Sequence, residues 1–313
     1  MGRVDLLSVV VPMYNEQEGI VRFCVELRQV LDLCAVPYEV LFVDDASSDS
    51  SVAEVLSLGW QHVQVVSLAS NVGHQRAIDA GILESRGNWV VTMDADGQHP
   101  PALIPEMTEL AQTEDLDVVY TRRISRREES GLRRLPALVY YRIIRFLTGI
   151  PIADSQADFR LMSRSVIEHL SDVRGDRVLR LLLPASGVRS KTLDYVARER
   201  IAGSSRYGLS RQIRLAIDSA LGFSSKPLRM VAVMGWVVAA FAFLWLLGVV
   251  ITYLVAGTVA GWASVMAAVL LVGGMSLLGQ AIIGSYVARI HDLVRNEPRF
   301  FIRATYPKRA SDG

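Results

Sequence analysis

Hydrophobic positions in the first half of the chain fall into short, nearly continuous apolar runs separated by segments of helical period. Leu6–Met13 is one such run, and a near-unbroken apolar stretch of that length reads as a strand buried on both faces. A helix is predicted from Glu16 to about Leu33, with Asn15 as its cap and Glu18 closing a capping box. Tyr38–Val43 is the next strand, followed by helix 49–58, strand 63–67, helix 74–86, strand 89–93, helix 100–112 and strand 117–120. Regular alternation of strand and helix predicts an α/β fold with a doubly wound, mostly parallel sheet. Asn15-Glu16, Asp44-Asp45 and Asp94-Ala95-Asp96 each follow a strand, so all fall on the carboxyl edge of that sheet. Open α/β sheets bind their ligands at this edge.

The pattern changes completely downstream. No charged residue occurs from Met230 to Val255, nor from Trp262 to Ala288. About 20 apolar residues cross a bilayer, so both runs are long enough to span it, and soluble core helices rarely stay uncharged for so long. Basic residues gather at the outer ends, with Lys226 and Arg229 before the runs and Arg289, Arg295, Arg299, Arg303, Lys308 and Arg309 after them. Positive flanks remain in the cytoplasm, which predicts a two-helix hairpin with both termini inside. Between Tyr207 and Ser225, Leu209, Ile213, Ala216, Ile217, Ala220 and Leu221 share one helical face, with Arg211, Arg214 and Asp218 opposite. Such a helix lies in the membrane interface. The expected organisation is a catalytic domain over 1–206, an interfacial region over 207–229, a hairpin over 230–288 and a basic cytoplasmic tail over 289–313. In the second span Gly273, Ser276, Gln280 and Gly284 form a stripe of small and polar residues, a helix-packing face on which the hairpin would oligomerise.

Composition narrows this further. The 313 residues suit one α/β domain plus the membrane part. A net charge of +1 gives no sign of nucleic-acid binding. Cys24 and Cys34 read as small core fillers in one helix rather than a disulfide framework. Met1–Asp5 is polar and leads straight into a strand, a pattern without a signal peptide.

The candidate chemistry centres on Trp89-Val90-Val91-Thr92-Met93-Asp94-Ala95-Asp96-Gly97-Gln98, where an apolar strand ends in two acids, a glycine and an amide. Two carboxylates and an amide oxygen are hard ligands suited to Mg²⁺ or Mn²⁺ carrying substrate phosphates. The first turn, Pro12-Met13-Tyr14-Asn15-Glu16, lacks the glycines a dinucleotide pyrophosphate needs, and there is no P-loop. A nucleotide would therefore be held by side chains, its diphosphate bridged by a metal.

Val11-Pro12-Met13-Tyr14-Asn15-Glu16, Val43-Asp44-Asp45-Ala46-Ser47-Ser48-Asp49 and Met93-Asp94-Ala95-Asp96-Gly97-Gln98-His99-Pro100 resemble, in order and spacing, glycosyltransferase family 2 with its GT-A fold. Ala157-Asp158-Phe159-Arg160-Leu161-Met162 and Arg198-Glu199-Arg200-Ile201-Ala202-Gly203-Ser204-Ser205-Arg206-Tyr207 are similar to the polyprenyl-phosphate glycosyltransferases. That group includes dolichol-phosphate mannose synthases and bacterial undecaprenyl-phosphate glucosyltransferases. Phe223-Ser224-Ser225-Lys226-Pro227-Leu228-Arg229, leading into two spans, resembles the bacterial branch. Two positions depart from the pattern: Ala46 replaces the usual Gly, and Gly97 stands where Leu is commoner. Ala46 is expected to keep its turn out of the positive-φ region.

The resemblance implies a metal-dependent, inverting transfer of a sugar from a nucleotide sugar to a polyprenyl phosphate, in the service of cell-envelope glycan modification. UDP-glucose is favoured as donor; GDP-mannose and a UDP-N-acetylhexosamine are alternatives. By the same resemblance Pro12, Tyr14 and Glu16 line the nucleotide pocket and Asp44 reads the base or ribose. Asp94, Asp96 and Gln98 hold Mg²⁺ or Mn²⁺ against the diphosphate, and Arg122 and Arg206 meet phosphate groups. Asp158 holds the position of a catalytic base, with Arg160 on the acceptor side, and the bacterial relatives suggest a tetramer. Other readings stand beside these. Asp44 or Asp45 can cap the next helix, Arg123 reads as a solvated neighbour of Arg122, and His74 and His99 read as loop or cap residues without a catalytic role. Arg126, Arg127, Arg133 and Arg134 suit either lipid phosphate or a solvated helix face. A processive synthase would carry a Gln-X-X-Arg-Trp motif, yet none of Trp60, Trp89, Trp236, Trp245 or Trp262 follows an Arg. A non-catalytic scaffold would have no use for the metal set.

Overall fold

The computed structural model describes residues 4–124, 156–171, 183, 186–196, 226–256, 261–295 and 298–307. Arg206, the interfacial segment 207–225, the arginines at 126, 127, 133 and 134, and the turn 257–260 lie outside the described residues. The chain divides into two compact units, one carrying the sheet and the other the two long helices.

The first unit is built on eight strands: β1 (Leu7–Met13), β2 (Tyr38–Asp44), β3 (Val63–Leu68), β4 (Trp89–Thr92), β5 (Val118–Ile124), β6 (Gln156–Ser163), β7 (Ser190–Val196) and β8 (Ile302–Tyr306). They form one sheet in the order β7-β5-β6-β4-β1-β2-β3-β8. β3, β2, β1 and β4 run parallel, as the strand–helix alternation predicts. The sheet is mixed yet mostly parallel, since β5 and β7 also pair in parallel. β6 is antiparallel to both β4 and β5, and β8 is antiparallel to β3. The helices that follow the early strands are α1 (Ile20–Asp32), α2 (Ser51–Ser57), α3 (His74–Glu84) and α4 (Leu103–Thr113), with α5 (Arg164–Ser171) after β6.

Two apolar layers follow from the strand period. Val9, Val11 and Phe42 face one side with Phe23 and Leu27 of α1 and Ile104 and Met107 of α4. Val10, Val43 and Val66 face the other with Ala77, Ile78 and Ile82 of α3 and Val166 and Ile167 of α5. α3 lies close to the sheet because Gly81 carries no side chain: a Cβ there would stand 2.3 Å from Val10 Cγ1 and 2.8 Å from Val43 Cγ2.

Two local expectations are corrected. Asn15 does not cap α1, which starts at Ile20 with Gly19 as its cap residue. Asn15 adopts a positive φ of 54° and its Oδ1 accepts from Ser48 N at 2.8 Å, tying the first loop to the second. Asn tolerates the left-handed region better than most residues, which frees its amide for this cross-loop bond. Ala46 does not avoid positive φ either; it sits at 59°. Asp44 Oδ1 accepts from Ser47 N at 2.9 Å, and this closure holds the turn in a conformation that costs an alanine about 1–2 kcal/mol.

The segment expected to be a basic tail returns in part to the sheet. β8 pairs with β3, Phe301 O accepts from Ala69 N at 2.8 Å, and Arg299 Nη1 lies 3.1 Å from Oδ2 of the buried Asp79 in α3. The β3 edge is thereby covered, as exposed edges generally must be.

The second unit contains α6 (Lys226–Ala256, 31 residues) and α7 (Trp262–Arg295, 34 residues). At 1.5 Å per residue each exceeds the roughly 30 Å of a bilayer core. Gly279 of α7 faces Val231 of α6, with 3.4 Å between an added Cβ and Val231 Cγ1. Large apolar side chains are exposed, among them Trp236 (79%), Phe241, Phe243 and Leu254. Among the described residues one segment is long and apolar enough to cross a membrane, Leu271–Ala288, with a mean hydropathy of 1.5; Val231–Trp245 is a shorter apolar stretch.

Candidate active site

The site forms where β1, β2 and β4 end. β1 outruns β4: their pairing stops at Val10↔Thr92, while Met93 N still donates to Val10 O at 3.1 Å. Pro12, two residues on, faces the same side, where β4 has already ended, so its missing N–H breaks no ladder bond. Tyr14, the next expected nucleotide contact, is 46% exposed above this gap. Glu16 N donates to Ser51 Oγ at 2.8 Å.

The β2 end carries two buried acids with different tasks. Asp44 closes its own turn on Ser47 and is 5% exposed. Asp45 reaches across to the entry of α3 and accepts from Val72 N at 2.7 Å and Gly73 N at 2.9 Å. Burial pushes the Asp45 carboxyl above its ordinary range, and those two N–H donors oppose the shift. Neither acid caps α2 through its side chain.

At the β4 end, Asp96 Oδ1 accepts from Gln98 N at 3.0 Å, and Gly97 takes a φ of 77° to allow the turn. The pair Asp94 and Asp96 thus stands one residue apart on a tight loop at the sheet edge. The donor set fits a hard divalent cation that keeps several positions for phosphate oxygens. Among the described residues no group of three or more His, Cys, Asp or Glu side chains is placed to hold a metal ion.

The antiparallel pairing of β6 with β4 brings a third carboxylate to this edge. Thr92 pairs with Arg160, and two further steps along that register carry Asp158 towards Asp94. Thr92 Oγ1 fixes the approach by donating to Asp158 O at 2.6 Å. Like charges opposed across strands are unfavourable, and three groups offset the repulsion here. Arg160, 2% exposed, gives Nη2 to Asp158 Oδ1 in an ion pair. Gln75 Nε2 donates to Asp158 Oδ2 at 3.3 Å. His74 Nε2 lies 3.2 Å from Asp94 Oδ1 and 3.7 Å from Asp158 Oδ2.

The structure therefore brings Asp94, Asp96, Gln98, Asp158 and Arg160 to one place. Arg122 of β5 is engaged in a two-pronged pair with Asp194 of β7 at 2.6 and 2.7 Å. Sequence reasoning gave His74 and His99 no role, yet both touch Asp94. Their signal was available: His74 follows β3 at the carboxyl edge, and His99 follows Asp94 by five residues on its own turn. Tyr195 of β7 also lies near the acids. Burial pushes its hydroxyl up to about 12, with Arg123 opposing and the charges of Asp94 and Asp96 adding to the rise.

Comparison with known proteins agrees with this geometry. Residues 8–171 match the family model described as Glycosyl transferase family 2. The chain is 35% identical over 311 residues to the uncharacterized glycosyltransferase YkcC of Bacillus subtilis, covering 98% of this chain and 96% of that protein. It is 31% identical over 304 residues to the SfII prophage-derived bactoprenol glucosyl transferase of Shigella flexneri, covering 96% and 98%. Among solved structures, glucosyl-3-phosphoglycerate synthase from Mycobacterium tuberculosis in complex with phosphoglyceric acid aligns with a TM-score of 0.52 at 19% identity, covering 72% of this chain and 81% of that one. That likeness is one of fold.

Proposed function

The chain belongs to glycosyl transferase family 2, and on that premise we propose that it transfers a sugar from a nucleotide sugar to the phosphate of a polyprenyl phosphate. The observation that carries this reading is the β4–β6 register, which sets the Asp94-Asp96 pair beside the Asp158–Arg160 pair. One pair suits a donor diphosphate and the other an acceptor. The Shigella flexneri relative is named for bactoprenol, which points to the lipid acceptor, and for glucosyl transfer, which favours UDP-glucose as donor.

In the reaction a phosphate oxygen of the lipid attacks the anomeric carbon. The bond from that carbon to the donor diphosphate breaks, the nucleoside diphosphate departs with the electron pair, and one displacement inverts the anomer. Mg²⁺ or Mn²⁺ held by Asp94, Asp96 and Gln98 would neutralise charge developing on the diphosphate. Pro12, Tyr14, Glu16 and Asp44 would border the nucleotide, and Arg122 and Arg206 would meet phosphate. A phosphate monoester has its second pKa near 6 and is mostly ionised at neutral pH, so the nucleophile needs little help from a base. Asp158 acts chiefly as an orienting carboxylate, and Arg160 beneath it holds that carboxylate in place.

A lipid acceptor requires the membrane, and the exposed apolar faces of α6 and α7 support such a setting. The chain leaves the sheet unit before α6 and re-enters the same sheet as β8 after α7. A folded sheet lies on one side of a bilayer, so the crossings between Lys226 and Arg295 must be even in number; two crossings with cytoplasmic ends fit the basic flanks. A reporter fused after Gly313 is expected to be cytoplasmic and one inserted at Gly257 to be on the far side. The reverse pattern would separate the site from cytoplasmic nucleotide sugars and defeat the reading.

The decisive assay incubates purified full chain with undecaprenyl phosphate and a panel of UDP- and GDP-sugars, weighing lipid products by mass spectrometry. A lipid-phosphate-hexose formed from UDP-glucose is expected. Transfer to water or to growing glycan with none to the lipid would overturn the proposal. A role in cell-envelope glycan modification, through a homo-oligomeric enzyme, follows as part of the same reading.

A further inference from the structure

Asp94 lies two residues past Thr92, the last residue of β4 with strand partners on both sides. Met93 N still finds Val10 O on the β1 side, whereas Asp94 N faces the β6 side, where the ladder has ended at Thr92↔Arg160. Its donor is taken up by a side chain: Asp94 N donates to His99 Nδ1 at 2.9 Å. An imidazole that accepts at Nδ1 carries its proton at Nε2. Two aromatic neighbours hold the ring. His99 is 5% exposed, stacks on Phe159 at 5.3 Å and 22°, and meets Tyr195 edge-on at 6.1 Å. Phe159 stands between Asp158 and Arg160 in β6, so the ring that fixes Asp94 is seated on the strand that carries the acceptor-side pair.

We propose that His99 is a positioning residue that fixes the Asp94 main chain, and with it the direction of the Asp94 carboxylate, before any ligand binds. The His99 imidazole never contacts the sugar or the phosphates. It acts as a one-residue extension of the β4 ladder, giving a loop of acids the rigidity of a strand end. Outer-shell groups of this kind typically change metal affinity by about 10–100-fold when removed. The inference rests on the reading of Asp94 as a metal ligand, and its test separates the two.

The test compares full-chain wild type with His99→Leu, which keeps apolar contact with Phe159 but removes the acceptor, and His99→Asn, whose amide oxygen restores one. Free Mn²⁺ is measured by electron paramagnetic resonance in the presence of UDP, and amide exchange over residues 93–98 is measured on metal-free protein. His99→Leu is expected to weaken Mn²⁺ binding by about 10–100-fold and to speed exchange over that segment, with His99→Asn recovering most of both. His99→Leu with wild-type Mn²⁺ affinity, or His99→Asn no better than His99→Leu, would overturn the proposal. Should wild type bind no Mn²⁺, the metal reading fails and exchange alone decides: unchanged exchange in His99→Leu sinks the positioning role. Should the leucine variant not fold, His99→Asn against His99→Gln, whose acceptor lies one bond further out, makes the same comparison; equal exchange in that pair counts against it.

Discussion

Asp96→Asn is expected to lower turnover by about 10²–10³-fold, the effect of removing one electrostatic partner of a developing charge. In the proposed reaction the leaving nucleoside diphosphate accumulates negative charge as its bond to the anomeric carbon breaks, and an amide at this position would offer a metal one oxygen without a charge. Folding should be almost untouched. Asp96 sits on a turn, and the bond its Oδ1 accepts from Gln98 N is one an asparagine oxygen also makes. Thermal unfolding of the variant in metal-free buffer should therefore match wild type, while activity and Mn²⁺ affinity fall together. Full activity of wild-type protein after EDTA treatment would remove the metal from the mechanism.

Asp158→Asn is expected to cost about 10²-fold through misplacement of the acceptor, the scale on which positioning errors of an ångström act. The more informative measurement is the pH profile. An obligatory base would leave a variant whose residual rate climbs with pH as hydroxide takes over. An acceptor that is already a dianion gives a variant whose rate still follows the second phosphate ionisation near pH 6. The second result is expected, because Asp158 is committed to Arg160 and Gln75 on its two oxygens, an arrangement suited to holding a carboxylate still. The amide oxygen of the variant can keep one of those contacts, so the loss should be read in kcat before stability. A profile that lost the ionisation and rose steadily above pH 8 would show that a proton is taken after all.

The two long helices illustrate how far composition carries an argument. Uncharged runs of helical length at 230–255 and 262–288 foretold two long helices, and α6 and α7 cover both. Their charged ends were less legible: charge resumes at Arg229 and Arg289, yet the helices extend to Lys226 and Arg295. That part of the chain after them folds back as β8 was not legible. Ile302–Tyr306 alternates too weakly to announce a strand, and its place depends on an unpaired β3 edge hundreds of residues earlier in the chain.

Within the sheet unit, the sequence by itself determined the parallel β3-β2-β1-β4 core, its helices and the acids at its carboxyl edge. Local periodicity decides those features: apolar runs of strand length bury two faces, and the residue after each strand falls on the same edge. Only the tertiary structure decided what those acids face. The antiparallel insertion of β6 beside β4 depends on partners 68 to 74 positions apart, for which no local period exists, and it alone sets Asp158 beside Asp94. The same holds for the histidines. His74 and His99 look like loop residues in the sequence because a lone imidazole has no pattern; their tasks appear once α3 and the aromatic seat of Phe159 bring each ring to Asp94. Even the fate of Asn15 was tertiary: a helix cap by local rule, it was drawn instead to Ser48 because the neighbouring loop of a parallel sheet lies within reach of the same edge.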